Sequence, residues 1–148
     1  MYIQKTDYAG RITMSLLDIL IAKNPNTILA DVSKEAEDTI ASMAGVLYDI
    51  LPEFDKTGAT RNGYVLSLAK SIGLYMIYQR ADDEQIPEKV IKNYDDAMDD
   101  LERISTGKKV LNLPPKPTDE VSGGEEGSTT MGTGLWRMGS QKKRTHQI

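Results

Sequence analysis

Cysteine is absent from this chain, and histidine occurs once, at His146. The missing cysteine excludes disulfides, thiolate metal sites and Cys nucleophiles. It also fits a reducing compartment. One histidine cannot supply a His-pair zinc site, and a Ser-His-Asp triad within one chain is not expected. No apolar run reaches the roughly 20 residues of a membrane span, and no apolar signal region follows Met1-Tyr2-Ile3-Gln4-Lys5, so neither membrane nor secretory leader is expected. Aromatics make up only 6% of the 148 residues, with a single Trp, Trp136.

Charge is plentiful but unevenly placed. Of 18 Lys/Arg and 22 Asp/Glu, 13 and 18 fall at or before Leu113, leaving 5 and 4 beyond it. The first part therefore carries about −5 and the remainder about +1. An acidic body is a poor nucleic-acid binder, because neutralising phosphates requires a basic footprint.

The chain changes character at Leu113-Pro114. Before that point apolar residues recur at helical spacing. After it come Pro114-Pro115-Lys116-Pro117, the spacer Ser122-Gly-Gly-Glu-Glu-Gly-Ser, an isolated Leu135-Trp136-Arg137-Met138, and the basic tip Lys142, Lys143 and Arg144. The organisation expected is a helical domain over 1–113 and an extended C-terminal arm over 114–148. Up to Met131 the arm has little apolar area beyond Val121 to offset its ordering entropy. The helical domain is therefore expected to fold without it.

Periodicity places the helices. Thr6 can cap a short turn over 7–11, with Asp7 favourable at the positive helix end. A helix is expected over about 14–22, stopped by Asn24-Pro25-Asn26. A third starts near Asp31 or Ser33, carries Val32, Ala36, Ile40, Met43 or Ala44, and Leu47 on one stripe, and stops by Leu51 because Pro52 follows. Residues 53–63 read as a loop. Asn62 can cap a fourth helix over 63–80, apolar around nearly its whole circumference and hence central. Pro87 and Glu88 open a fifth, with Val90 or Ile91, Tyr94, Ala97 or Met98, Leu101 and Ile104 facing inward and Gly107 following as its C-cap. Short connections point to an all-α fold, a small bundle of four to five helices.

Three features invite a site reading. The acidic set Asp95, Asp96, Asp99, Asp100 and Glu102 has the right ligand type for Mg²⁺ or Ca²⁺, but not the spacing of a calcium loop. A solvated acidic helix face is the simpler reading, and Asp82-Asp83-Glu84 reads the same way. The Gly-rich spacer lacks the Lys-Ser/Thr ending of a phosphate loop and is itself acidic. Tyr64, Tyr75, Tyr78 and Tyr94 at helical spacing read as core residues with hydroxyls near the surface. Leu135, Trp136, Arg137 and Met138 differ, because Trp and Arg are the commonest interface anchors. No cofactor is expected.

A sequence of features carries a family resemblance: Met1-Tyr2-Ile3 with a capped turn at Thr6-Asp7, the Ala/Ser/Ile rhythm of 36–48, Leu74-Tyr75-x-x-Tyr78-x-Arg80, and Pro87-Glu-Lys-Val-Ile-Lys-Asn-Tyr-Asp-Asp-Ala-Met-Asp-Asp-Leu closing on Ile104-Ser-Thr-Gly-Lys. Through Leu113 the chain resembles the small connector proteins of Mu-like prophages, within the wider group of tailed-phage head–tail adaptors. The resemblance implies a non-enzymatic structural protein of the virion neck, assembled in the host cytoplasm. It implies a homo-oligomeric ring, often of twelve copies, below the portal, with the portal protein and other neck or tail proteins as partners. DNA would pass through without specific binding. The acidic face Asp95, Asp96, Asp99 and Asp100 could line that channel, since like charge repels phosphate. The arm, through residues 135–138 and Lys142, Lys143 and Arg144, would dock on neighbours. Two rivals stand beside it: a small DNA-associated packaging accessory or regulator using the basic tip, and an enzyme working through carboxylates alone.

Overall fold

The computed structural model describes residues 1–81 and 85–118. Among these the fold is all-α, and the only sheet-like pairing is an isolated antiparallel bridge. The helices are α1 (Met14–Leu20), α2 (Pro25–Ala44), α3 (Leu51–Phe54), α4 (Gly63–Arg80) and α5 (Glu88–Ser105), preceded by a 3₁₀ turn at Lys5–Gly10. The central helix is α4, packed against both α2 and α5, which also touch each other.

The reason α4 is central lies in its composition. Val65, Leu68, Ala69, Ile72, Leu74, Ile77 and Tyr78 are buried around it, together with Gly73 and Ser71. Each fully buried large aliphatic residue contributes roughly 1.5–3 kcal/mol relative to exposure. Its start is held as expected: the Asn62 side chain accepts from the backbone N–H groups of Tyr64 and Val65. Gly73 marks the closest approach, because a Cβ there would run into the Tyr8 hydroxyl and crowd Val32 and Ile3. On the other side, α5 turns Val90, Ala97, Leu101 and Ile104 inward. Tyr75 of α4 stacks on Tyr94 of α5, with ring centroids 4.1 Å apart. Gly107 takes a positive φ of 74° just past α5, where its N–H donates to the Ile104 carbonyl.

Three boundaries differ from the sequence expectation. The first turn is capped from Gln4, not Thr6: the Asp7 carboxylate accepts the Gln4 N–H at 2.7 Å, and Thr6 is exposed. Helix α2 begins at Pro25, six residues before Asp31. Asn24-Pro25-Asn26 reads as a stop, yet Pro is equally suited to the first helical position, where its missing N–H has no partner to lose. Ser33 is consequently a buried mid-helix residue rather than a cap. Helix α2 also ends earlier, at Ala44, and residues 47–49 leave it to pair elsewhere. A further short helix, α3, forms around Pro52, which is tolerated in its first turn, and its last two residues together with a 3₁₀ turn at Gly58–Thr60 fall in the stretch expected to be loop.

Candidate interaction surfaces

Several polar side chains that look available in the sequence are consumed in holding the N-terminus to the bundle. Ser33 of α2 accepts the Ile3 N–H at 3.1 Å and donates to Glu37 at 2.6 Å, while Glu37 accepts the Tyr2 N–H at 2.9 Å. Arg61 forms a two-pronged pair with Asp7, at 2.7 and 2.9 Å, and donates to the Tyr2 carbonyl at 2.7 Å. Burial pulls the Asp7 carboxyl upward, but the Arg61 guanidinium and the Gln4 N–H outweigh it and hold it below the usual range.

Among the described residues Glu53 is the most deeply buried acid, 2% exposed. Its carboxylate accepts from the Tyr2 hydroxyl at 3.0 Å, from Lys56 at 2.7 Å and from the Asn62 N–H. Burial alone would raise its pKa; the Lys56, Asn62 and Tyr2 bonds together lower it. The same contact, added to burial, pushes the Tyr2 phenol up. Nothing local in the sequence distinguishes Glu53 from Asp55, which is exposed. Only the tertiary placement of Tyr2 and Asn62 does. Among the described residues no buried side-chain nitrogen or oxygen lacks a partner, and none form a group of three or more potential metal-ligating acids.

The acidic face of α5 is present, with one member withdrawn. Asp95, Asp96 and Asp99 are exposed. Asp100 is half-buried, pairs with Lys109 at 2.7 Å and accepts from the Tyr64 hydroxyl. The Lys109 bond, then that from Tyr64, holds its carboxyl below the usual range. The Lys109 ammonium also lies 4.7 Å from the Tyr64 ring centroid, a cation–π contact. Arg103 and Lys108 share a shallow cleft with Asp99 and Glu102, so the lower end of this face carries both signs. Asp82, Asp83 and Glu84 lie outside the described residues.

A second surface forms where α2 ends. The Asp49 N–H donates to the Pro114 carbonyl at 3.0 Å, the Lys116 N–H donates to the Leu47 carbonyl at 2.8 Å, and Tyr48 bridges Pro115. The Tyr48 hydroxyl accepts the Leu111 N–H at 3.0 Å. The compact unit therefore runs to Lys116, three residues past the change in composition. Beside this pairing lies a cleft of about 240 Å³ between Ala41, Gly45, Tyr48, Ile50 and Leu51, with Asp49 and Lys116 as its charged walls. Leu51, one of its lining residues, stands 66% exposed.

The arm residues Leu135, Trp136, Arg137, Met138, Lys142, Lys143 and Arg144 lie outside the described residues. Among the described ones no helix is long and apolar enough to cross a membrane. No curated protein and no solved structure matches the chain. A family model does: the one described as Bacteriophage Mu, Gp36 aligns with residues 2–129. The match extends past Leu113 into the Gly-rich spacer and stops before Trp136. With most of its length covered in this way, the chain is a phage protein of the Bacteriophage Mu Gp36 family.

Proposed function

We propose that this protein is a structural head–tail connector of a tailed phage, a non-enzymatic ring component below the portal in the virion neck. Membership of a Mu phage family carries the reading. The surface chemistry supports it. A ring subunit must offer two unlike faces that complement each other around a closed circle. Once the polar groups tied up internally are set aside, the domain presents an apolar edge at Val46 and Leu51 and, elsewhere, the acidic set Asp95, Asp96 and Asp99. An acidic lining lets DNA pass without gripping it, because phosphates are repelled. The arm adds avidity by raising the effective concentration of its docking segment at the neighbour. Twelve copies is the ring size the resemblance implies, and the portal and neighbouring neck or tail proteins are the partners.

Disrupting the gene in its phage should yield DNA-filled heads without attached tails, and the purified chain mixed with portal should give rings by electron microscopy. Normal virions from the disrupted phage would sink the reading. Tight duplex-DNA binding that collapses with added salt, abolished by removing Lys142, Lys143 and Arg144, would favour the packaging-accessory alternative.

A further inference from the structure

The cleft beside residues 47–49 combines an apolar floor with charged walls. The cleft is floored by Gly45, Tyr48 and Ile50, and its 240 Å³ falls below the roughly 300–1,000 Å³ of small-molecule pockets, a size that suits one large side chain. Asp49, half-buried, lines one side of it. In the sequence, Trp136 is flanked by Leu135 and by Arg137 and Met138, so an aromatic and a cation are presented together. We propose that this cleft is the receptor for residues 135–138 of a neighbouring copy, with Trp136 filling it and Arg137 pairing with Asp49.

Three observations choose this occupant. The charges match locally: the cation Arg137 adjoins the indole in sequence, and the carboxylate of Asp49 lines the cleft together with Lys116. The tether is long enough: 19 residues separate Lys116, at the cleft wall, from Trp136, and at about 3.3–3.6 Å each they reach roughly 70 Å. That far exceeds the radius of gyration of about 13 Å expected for a domain near 100 residues. The contact is also heterologous, Trp on one copy and cleft on the next, as ring closure requires. The assignment to a neighbour, rather than to the same chain, rests on the ring reading above.

Because Trp136 is the only Trp, its fluorescence in the full-length chain reports docking directly. Emission and acrylamide quenching are followed over a dilution series, with sedimentation velocity on the same samples. As oligomers form, the emission should shift to the blue and quenching should fall. Leu51→Asp should weaken that association by roughly 30-fold or more, the equivalent of losing a hot-spot contact of about 2 kcal/mol. Ala41→Glu, at a partly exposed lining residue on α2, provides a second cleft variant should Leu51→Asp alter the circular dichroism. Ile19→Asp, at a residue equally exposed but not lining the cleft, should change nothing. Oligomers with a solvent-exposed Trp136, or a blue shift that survives both cleft variants, would overturn the receptor assignment and leave the ring reading standing. A blue shift independent of concentration would place the Trp on its own chain and overturn the neighbour. A chain that remains monomeric at every concentration, and with portal added, would count against the ring itself.

Discussion

Arg61 shows how much of this domain's stability hangs on single residues. Its side chain is 8% exposed and that of Asp7 13%, so removing one partner leaves the other charge buried. Arg61→Met should destabilise the domain by about 3–5 kcal/mol in urea unfolding. Adding Asp7→Asn should recover part of the loss, since the orphaned charge disappears with it. Glu53 and Asp7, the two more buried of three carboxyls held low among the described residues, also make the fold acid-sensitive. Both carboxyls are held below their ordinary values in the folded protein, so the unfolded chain takes up protons first as the pH falls. Their contribution is fully present above roughly pH 4.5, the upper end of ordinary carboxylate values, and is lost below it as the folded-state groups protonate. The urea midpoint should fall from pH 6 to pH 3, and Glu53→Gln should flatten that slope while lowering stability at pH 6. An unchanged slope would mean that Glu53 does not carry the acid sensitivity.

At the scale of elements, the first turn of α2 and the close packing of α4 make the clearest predictions. Leu29 is 7% exposed because α2 starts at Pro25. Leu29→Ala should cost about 2–5 kcal/mol, the range of a buried Leu truncation, whereas a Leu in an exposed loop would cost almost nothing. Gly73→Ala tests α4 from the opposite direction: the added methyl must displace the Tyr8 hydroxyl, and overpacking of this kind costs about 1–3 kcal/mol. Gly107→Ala should cost about 1–2 kcal/mol, because the αL conformation after α5 penalises a Cβ. Thermal melts of the three variants are enough to rank these effects.

For the whole molecule, the limit of the folding unit is the testable quantity. Removing residues 119–148 should leave the melting transition of the domain intact. Removing everything after Leu113 should lower it, because residues 114–116 supply two backbone hydrogen bonds to residues 47–49, each worth about 0.5–1.5 kcal/mol net. Equal melting of the two truncations would show that this pairing adds nothing. The composition change at Pro114 is real, but it marks where apolar periodicity ends and not where contact ends. Proline can still accept through its carbonyl.

Much was legible without any contact information. Helices α4 and α5 follow from local signals: the Asn62 cap, the all-round apolar character of α4, the period of Val90, Ala97, Leu101 and Ile104, and the Gly107 terminator. These act through the nearest few residues, so sequence spacing captures them. The exclusion of cysteine and paired-histidine chemistry follows from composition alone. What the sequence could not distinguish was ambiguous locally. Asn24-Pro25-Asn26 suits a helix end and a helix start equally. Glu53 and Asp55 are acids in and just after α3, and Tyr2 and Tyr8 show no periodicity that marks them as core, yet both tyrosines are 1% exposed. The pairing of residues 47–49 with 114–116 joins segments more than 60 positions apart. Only tertiary structure decided these, because each depends on a partner brought near by the packing of α2 and α5 on α4.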